Sequence, residues 1–468
     1  MNVIYKKSQN NDDSRYCFNF HDYSCSENNK KMKINNGFGC SDYSSNNMNV
    51  LKIDSTTPRI KSIIDFMDNR KIDYVVDYRN KNVVIDINTY MPSNKKNLLV
   101  RKKEFADDIF TVLDSKIVYI KSGTYGHTFM GYFCDKQKNI NFKYAIKIVA
   151  YQKKEKFGDI YNDNRPENAE INMLKLLSFF VVMKRTPHLI LPISSFNVSI
   201  EHIIRFMEKN NNKEKKYVEF LENYKKGMFH NNVSILLSEW ADKGDLLDYI
   251  RKNANSMTLI EWKVILFQII STLALIQHIY PAFRHNDLKA NNILLSSVDN
   301  PNPIKYNINN KVYVVPSVKL SIRIWDFDFA CIPGLINNMK VVSTWTKNIN
   351  ISQSEHKYYD LHYLLNTLAF CGFYPGFMSN DNMIPVDVKR FIKRIIPSKY
   401  RSYRCEHVKD EKHSKNSKRT KESKKEKDVS CDICYKNVHH KGRLLVNDEY
   451  VTPLDIIEKD DFFVDFRQ

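Results

Sequence analysis

A carboxylate, a cation and a carboxamide stand at fixed spacing in His285-Asn286-Asp287-Leu288-Lys289-Ala290-Asn291-Asn292, with Lys289 two and Asn292 five residues after Asp287. Phosphoryl transfer needs this set. A carboxylate orients the attacking hydroxyl and takes its proton, a lysine offsets charge on the moving phosphoryl group, and a side-chain oxygen holds a metal that bridges the phosphates. The cluster lies between apolar segments, and Ile293-Leu294-Leu295 predicts a short buried strand behind it. A polar turn between a helix and a strand is the plain alternative. The chemistry therefore has to be supported by the elements that would position these side chains.

The same residues resemble the catalytic loop of protein kinases. His285, Asp287, Leu288, Lys289 and Asn292 fit that pattern, and Asn286 stands where arginine is usual. Upstream, a strand over 117–120 leads into Ser122-Gly123-Thr124-Tyr125-Gly126. Gly123 and Gly126 between strands let the backbone approach an anion closely, although an ordinary hairpin turn has the same composition. Lys121 and Thr128 depart from the glycine-rich kinase loop. In Tyr144-Ala145-Ile146-Lys147-Ile148-Val149 a lysine interrupts an apolar strand, where an ammonium is costly unless it is paired or bound to phosphate. A helix is predicted from Pro166 to about Met183, with proline suited to its first turn. Glu170, beside the apolar stripe, is the expected partner of Lys147, and Glu167 competes with it.

Further along, Leu189 to Pro192 is expected to form a strand, followed by about 30 polar residues that read as an inserted surface segment. A strand over 233–238 ends in Glu239-Trp240-Ala241-Asp242-Lys243-Gly244-Asp245, which resembles the kinase inter-lobe linker. The resemblance implies adenine contacts on the backbone of Glu239 and Ala241, with Asp245 near the ribose; a helix N-cap is the simpler role for Asp245. A helix over 258–280 delivers the catalytic loop. Strands over 311–315 and 318–324 are expected to pair before Trp325-Asp326-Phe327-Asp328. Asp326 ends an apolar strand and is the second metal-ligand candidate, because hard oxygen donors suit Mg²⁺. Asp328, two residues on and so on the same strand face, is its rival. Asp360 is a first-turn acid of the next helix, and by resemblance it holds the catalytic-loop backbone.

These elements occur in kinase order over about residues 115–465. The loop at His285, Asp326-Phe-Asp-Phe and Tyr358-Tyr359-Asp360 are similar to the poxvirus-type virion serine/threonine kinases of large DNA viruses. The resemblance implies an α+β bilobal fold with ATP and Mg²⁺ between the lobes, protein substrates, and a setting in the host cytoplasm or virion. Residues 1–100 are expected to be a partly disordered extension, 101–238 a β-rich lobe and 239–468 a helical lobe with a basic insertion at about 401–430. The 331–357 segment has no A-P-E motif. With Asn286 in place of arginine, activity is expected not to depend on activation-loop phosphorylation. Two other readings stay open: a pseudokinase scaffold, motivated by the altered glycine loop, Asn286 and Asp328, and a small-molecule phosphotransferase with the same lobes.

A net charge of +19 suggests acidic partners, but Lys and Asn are abundant throughout, as compositional drift would give. The Lys-rich insertion offers contact with anionic surfaces, without interleaved aromatics for base stacking. Nine cysteines and a polar start are expected to mean free thiols and no secretory leader. Cys405, Cys431 and Cys434, with His407, His439 and His440, form a weak zinc pattern. The apolar stretch 264–283 is long enough to be weighed as a membrane span. Its Gln268, Gln277 and His278 favour a buried helix, so no transmembrane segment is expected.

Overall fold

The computed structural model describes residues 57–79, 102–402 and 437–468, apart from short breaks at 69, 71, 106–109, 111–112, 114, 123–124, 136–139, 211–213, 300–301 and 381–382. Long apolar runs rich in β-branched and aromatic residues form β2 (Lys116–Ser122), β3 (Gly126–Asp135) and β4 (Ile140–Gln152). With β1 (Glu104–Phe105), β5 (Pro192–Ser199) and β6 (Phe229–Glu239) they make a six-stranded sheet in the order β1-β5-β6-β4-β3-β2. Only β1 pairs in parallel. Gly126 sits where β3 crosses β4: a Cβ there would lie 2.1 Å from the Ile148 carbonyl oxygen. Strand packing alone thus requires that glycine, before any ligand is considered.

The chain after β6 is mainly helical, which makes the fold α+β. Its central helix is α6 (Leu259–Ile279), preceded by α5 (Leu246–Asn253) and started by a capping box between Thr258 and Glu261. Helix α6 is apolar on all sides because it is enclosed on all sides, with residues Val264 through Gln277 buried. Its polar residues bind neighbours: Gln268 accepts from the Ile322 N–H at 2.9 Å, and Gln277 donates to the Lys357 carbonyl at 3.0 Å. The expected buried helix is thus found, as the core of the helical part.

Several expectations need correction. The strand expected over 189–192 starts only at Pro192, because Leu189 bridges to Ile324 instead. The "polar insertion" that follows contains two helices, α3 (Ile200–Lys209) and α4 (Lys215–Lys225). Ile203, Met207, Tyr217 and Phe220 form their single buried stripe, and Phe220 covers the ring of His127 on β3. The strands over 311–315 and 320–324 do not pair with each other. β10 (Lys311–Val315) folds back on β9 (Ile304–Ile308) through Asn309 and Asn310, both at positive φ, a turn these residues tolerate. β11 (Leu320–Ile324) instead pairs with β8 (Ile293–Ser297), which also joins β7 (Gly244–Asp245). The apolar runs 74–76 and 83–85 suggest short strands; the first makes a single bridge from Tyr74 to Ser194, and the second lies outside the described residues.

Before the sheet, the amphipathic stretch after Pro58 forms α1 (Thr57–Met67). Phe66 packs on Phe142 and Tyr144 of β4. Arg59 reaches the far end of β6: its Nε donates to Glu239 at 2.8 Å, and its other nitrogens donate to the Pro187 and Leu189 carbonyls at 2.7 Å. Both charged side chains are 3% exposed, so each neutralises the other in a dry setting. Removing one partner strands a buried charge. We therefore expect Arg59→Met to lower unfolding free energy by roughly 3–5 kcal/mol, read by chemical denaturation; an unchanged midpoint would show that α1 is dispensable.

Candidate active site

The catalytic-loop candidates are held from behind by α7 (Tyr359–Ala369). The buried Asp360 carboxylate accepts from the His285 N–H at 2.7 Å and the Asn286 N–H at 2.8 Å, which fixes a turn where Asn286 has φ 61°. His285 Nε2 lies 2.9 Å from the Trp325 carbonyl, and its ring packs on Phe327. The two candidate acidic segments are thereby tied together.

Asp287 is buried yet charged. Burial opposes its ionisation, but Lys289 and Arg443 override it and hold the carboxyl below its usual range. Lys289 lies 2.5 Å from Oδ2. The Asn292 amide donates to the same oxygen at 3.1 Å and to the Asp287 carbonyl at 2.9 Å. That leaves Asn292 Oδ1 buried with no hydrogen-bond partner. A buried amide oxygen in this state is unfavourable unless something else occupies it.

The second cluster is built on Lys147. β4 buries it, and α2 (Pro166–Val182) brings Glu170 within 2.6 Å of its ammonium. Glu167 turns instead to Arg165 at 3.2 Å. Lys147 also lies 2.9 Å from Asp326. Burial, reinforced by the Asp326 charge, pushes Glu170 up to about 7 against the pull of Lys147. Burial works against Asp326 too, yet Lys147 and then Lys289 hold it well below the usual carboxylate range. The Asp326 charge therefore reaches Asp287, and Lys289 acts on both acids.

Backbone geometry, rather than strand alternation, sets where Asp326 and Asp328 point. Asp326 leaves β11 in a left-handed conformation, φ 61° and ψ 59°, and Phe327–Phe329 forms a 3-10 turn. The two acids do not share a strand face. Asp328 pairs with Lys340, and Asp326 pairs with Lys147.

In the linker, the Glu239 N–H donates to the Leu191 carbonyl at 3.1 Å, and its side chain points inward to Arg59. Ala241 is fully buried. Asp245 caps α5 by accepting from the Asp248 N–H at 2.9 Å. Gly123 lies outside the described residues, as do Cys405, His407, Cys431, Cys434 and the Lys-rich stretch. Among the described residues no three His, Cys, Asp or Glu side chains gather as a metal site; the His439 and His440 rings lie tilted against each other, and His439 Nδ1 accepts from the Lys441 N–H.

Sequence reasoning missed two arginines. Arg284, two residues before the usual arginine position, donates to Ser352 Oγ and the Asn350 carbonyl at 2.6 Å each and lies 3.8 Å over the Tyr359 ring. Asn286 adds neutral bonds to the Phe329 and Ser352 carbonyls. The segment after Asp326 is thus tied to the loop through uncharged acceptors. The adjacency of Arg284 to His285 was the available signal. Arg443 had none: its guanidinium binds Asp287 from 156 positions away in sequence.

Comparison with known proteins agrees with this geometry. The model of the poxvirus serine/threonine protein kinase family matches residues 128–413. A protein of Acanthamoeba polyphaga mimivirus, provisionally described as a serine/threonine-protein kinase, is 41% identical over 77% of this chain and 72% of its own length. A second protein of the same virus, described in the same way, is 26% identical over 49% of this chain and 65% of its own.

Proposed function

Because the chain belongs to the poxvirus serine/threonine protein kinase family, we propose that it transfers the γ-phosphoryl group of ATP to serine and threonine hydroxyls of proteins, with Mg²⁺ as cofactor. One observation carries this reading: Lys147, Glu170 and Asp326 meet at one cluster that shares its field with Asp287, Lys289 and Asn292. Asp287 orients the substrate hydroxyl and takes its proton as the oxygen–phosphorus bond forms and the bond to the β-phosphate oxygen breaks. Lys289 offsets charge on the transferred group. Lys147, steadied by Glu170, binds the α- and β-phosphates. By family resemblance, Gly123 and Gly126 are the glycines that contact these phosphates. The backbone of Glu239 and Ala241 meets the adenine, and Asp245 lies toward the ribose beside its capping role.

The metal fits the donors present. Asn292 Oδ1 is buried without a partner among the described residues, and Asp326 is a carboxylate held below its usual range that accepts from Lys147 at 2.9 Å. Two hard oxygens plus phosphate and water suit Mg²⁺, which retains several waters and seldom has an all-protein cage. When bound, the ion neutralises charge between the phosphates.

The setting in virion assembly, in host cytoplasm or virion, rests on the family resemblance. So does the contact of the Lys-rich stretch with anionic surfaces. Independence from activation-loop phosphorylation has a structural argument: Arg284 and Asn286 already hold the segment through neutral oxygens, and Ser343 and Thr346 are buried. Exposed Thr344 should tolerate both Thr344→Ala and Thr344→Glu with less than about a tenfold change in kcat/KM, or 1.4 kcal/mol; a switch of several orders of magnitude would contradict it. The reading itself is tested with radiolabelled ATP and a protein mixture. Wild type should label proteins, and Asp287→Ala should lose about 10²–10⁴-fold in rate. Equal incorporation, or label confined to small molecules, would contradict it.

A further inference from the structure

Arg443 lies beyond the span matched by the family model, which ends at residue 413. It nevertheless contacts the centre of the candidate active site. It is carried by a tight turn after the Lys-rich stretch. The His439 N–H donates to the Arg443 carbonyl at 2.8 Å, and the Gly442 N–H to the His439 carbonyl at 2.7 Å. Gly442 has φ +87°, and a Cβ there would come within 2.7 Å of Thr367 on α7. Two asparagines dock the turn. Asn366 donates to the Gly442 carbonyl at 3.0 Å, and Asn350, from the segment after Asp326, donates to the Leu444 carbonyl at 3.0 Å.

The guanidinium is 7% exposed and spread over four neighbours. One nitrogen binds Asp287 Oδ1. Another binds the Asn286 carbonyl and lies 3.3 Å from the Tyr359 hydroxyl. The group sits 4.1 Å from the centre of the Tyr363 ring. Asp287 is therefore gripped at both oxygens, by Arg443 on Oδ1 and by Lys289 and Asn292 on Oδ2. Tyr359, Asp360 and Tyr363 all belong to α7, so one helix braces both the loop backbone and the arginine that orients its acid.

We propose that Arg443 is a positioning residue for phosphoryl transfer: it fixes the Asp287 carboxylate and the Asn286 peptide in the orientation that receives the substrate hydroxyl. Each carboxylate oxygen has two lone-pair directions, so Oδ1 can accept from Arg443 and from a hydroxyl together. Arginine suits the task because its planar fork engages the carboxylate and the Asn286 carbonyl at once, which a lysine point charge does not. A second cation weakens Asp287 as a base. In a loose phosphoryl-transfer transition state the protein contributes mainly position and electrostatics, so orientation is the larger gain. The opposite role, a plug that releases to activate, does not suit a side chain on a turn docked by Asn350 and Asn366 and wedged against Thr367.

This inference rests on the phosphotransfer reading above, and its test separates the two. Wild type, Asp287→Ala, Arg443→Ala and Arg443→Lys of the full chain are compared by steady-state kinetics and by thermal shift with a non-hydrolysable ATP analogue. Arg443→Ala should lower kcat by about 30-fold or more, with KM for ATP within about twofold of wild type, the pattern of an interaction realised in the transition state. Arg443→Lys should recover part of kcat, and the analogue should shift all four proteins alike. If Arg443→Ala does not fold, the deficit of Arg443→Lys at unchanged KM carries the test. A kcat for Arg443→Ala, or for Arg443→Lys where only that folds, within about threefold of wild type or above it would overturn the proposal. That result alongside an inactive Asp287→Ala removes this inference only; an inactive wild type removes both.

Discussion

The rest of the site depends on one buried ammonium. Lys147 is flanked on its strand by the apolar Ala145, Ile146, Ile148 and Val149, and burying its charge is tolerable only because two carboxylates meet it. Glu170 arrives from α2 and Asp326 from the end of β11, so a single cation fixes the relation between sheet, helix and second acidic segment. The three groups do not balance. Two acids share one lysine, and the strain shows in their opposite shifts, Glu170 raised and Asp326 lowered. An arrangement with one carboxylate in excess is suited to receive a further cation.

The catalytic-loop side has the reverse balance. Asp287 faces two cations, Lys289 and Arg443, while Asp360 supplies a second buried carboxylate bound only by backbone N–H groups and held up by burial. Asp287 has two cations about it and Lys147 has two carboxylates, so a polyphosphate and its metal would find partners in both clusters. The segment after Asp326 joins this frame through Arg284, which donates to hydroxyl and carbonyl oxygens.

Much of this was legible in the sequence because it is local. The spacing of Asp287, Lys289 and Asn292, the lysine inside an apolar strand, and the proline-started helix bearing Glu170 are each set by a few neighbouring residues. The long apolar run over 258–280 likewise announced α6. What was not legible was set by distance or by subtle register. Helices α3 and α4 hide a narrow buried stripe within a Lys- and Asn-rich stretch, so composition masked periodicity. The β9–β10 hairpin was missed because Asn309-Asn310 carries no glycine. Strand logic failed for Asp328, since the chain leaves β11 in a left-handed turn at Asp326. Arg59 and Arg443 act across the fold, and no spacing rule places them.

The central claim is that Asp326 and Asn292 complete a site for metal-bound nucleotide opposite Lys147. It is tested most directly by titrating ATP into wild type, Asp326→Asn and Asn292→Ala with and without Mg²⁺, following heat of binding. Wild type should bind ATP at least about tenfold more tightly with the metal, a gain of about 1.4 kcal/mol, and both variants should lose that increment while still binding metal-free ATP. An equal Mg²⁺ increment in all three proteins would contradict it.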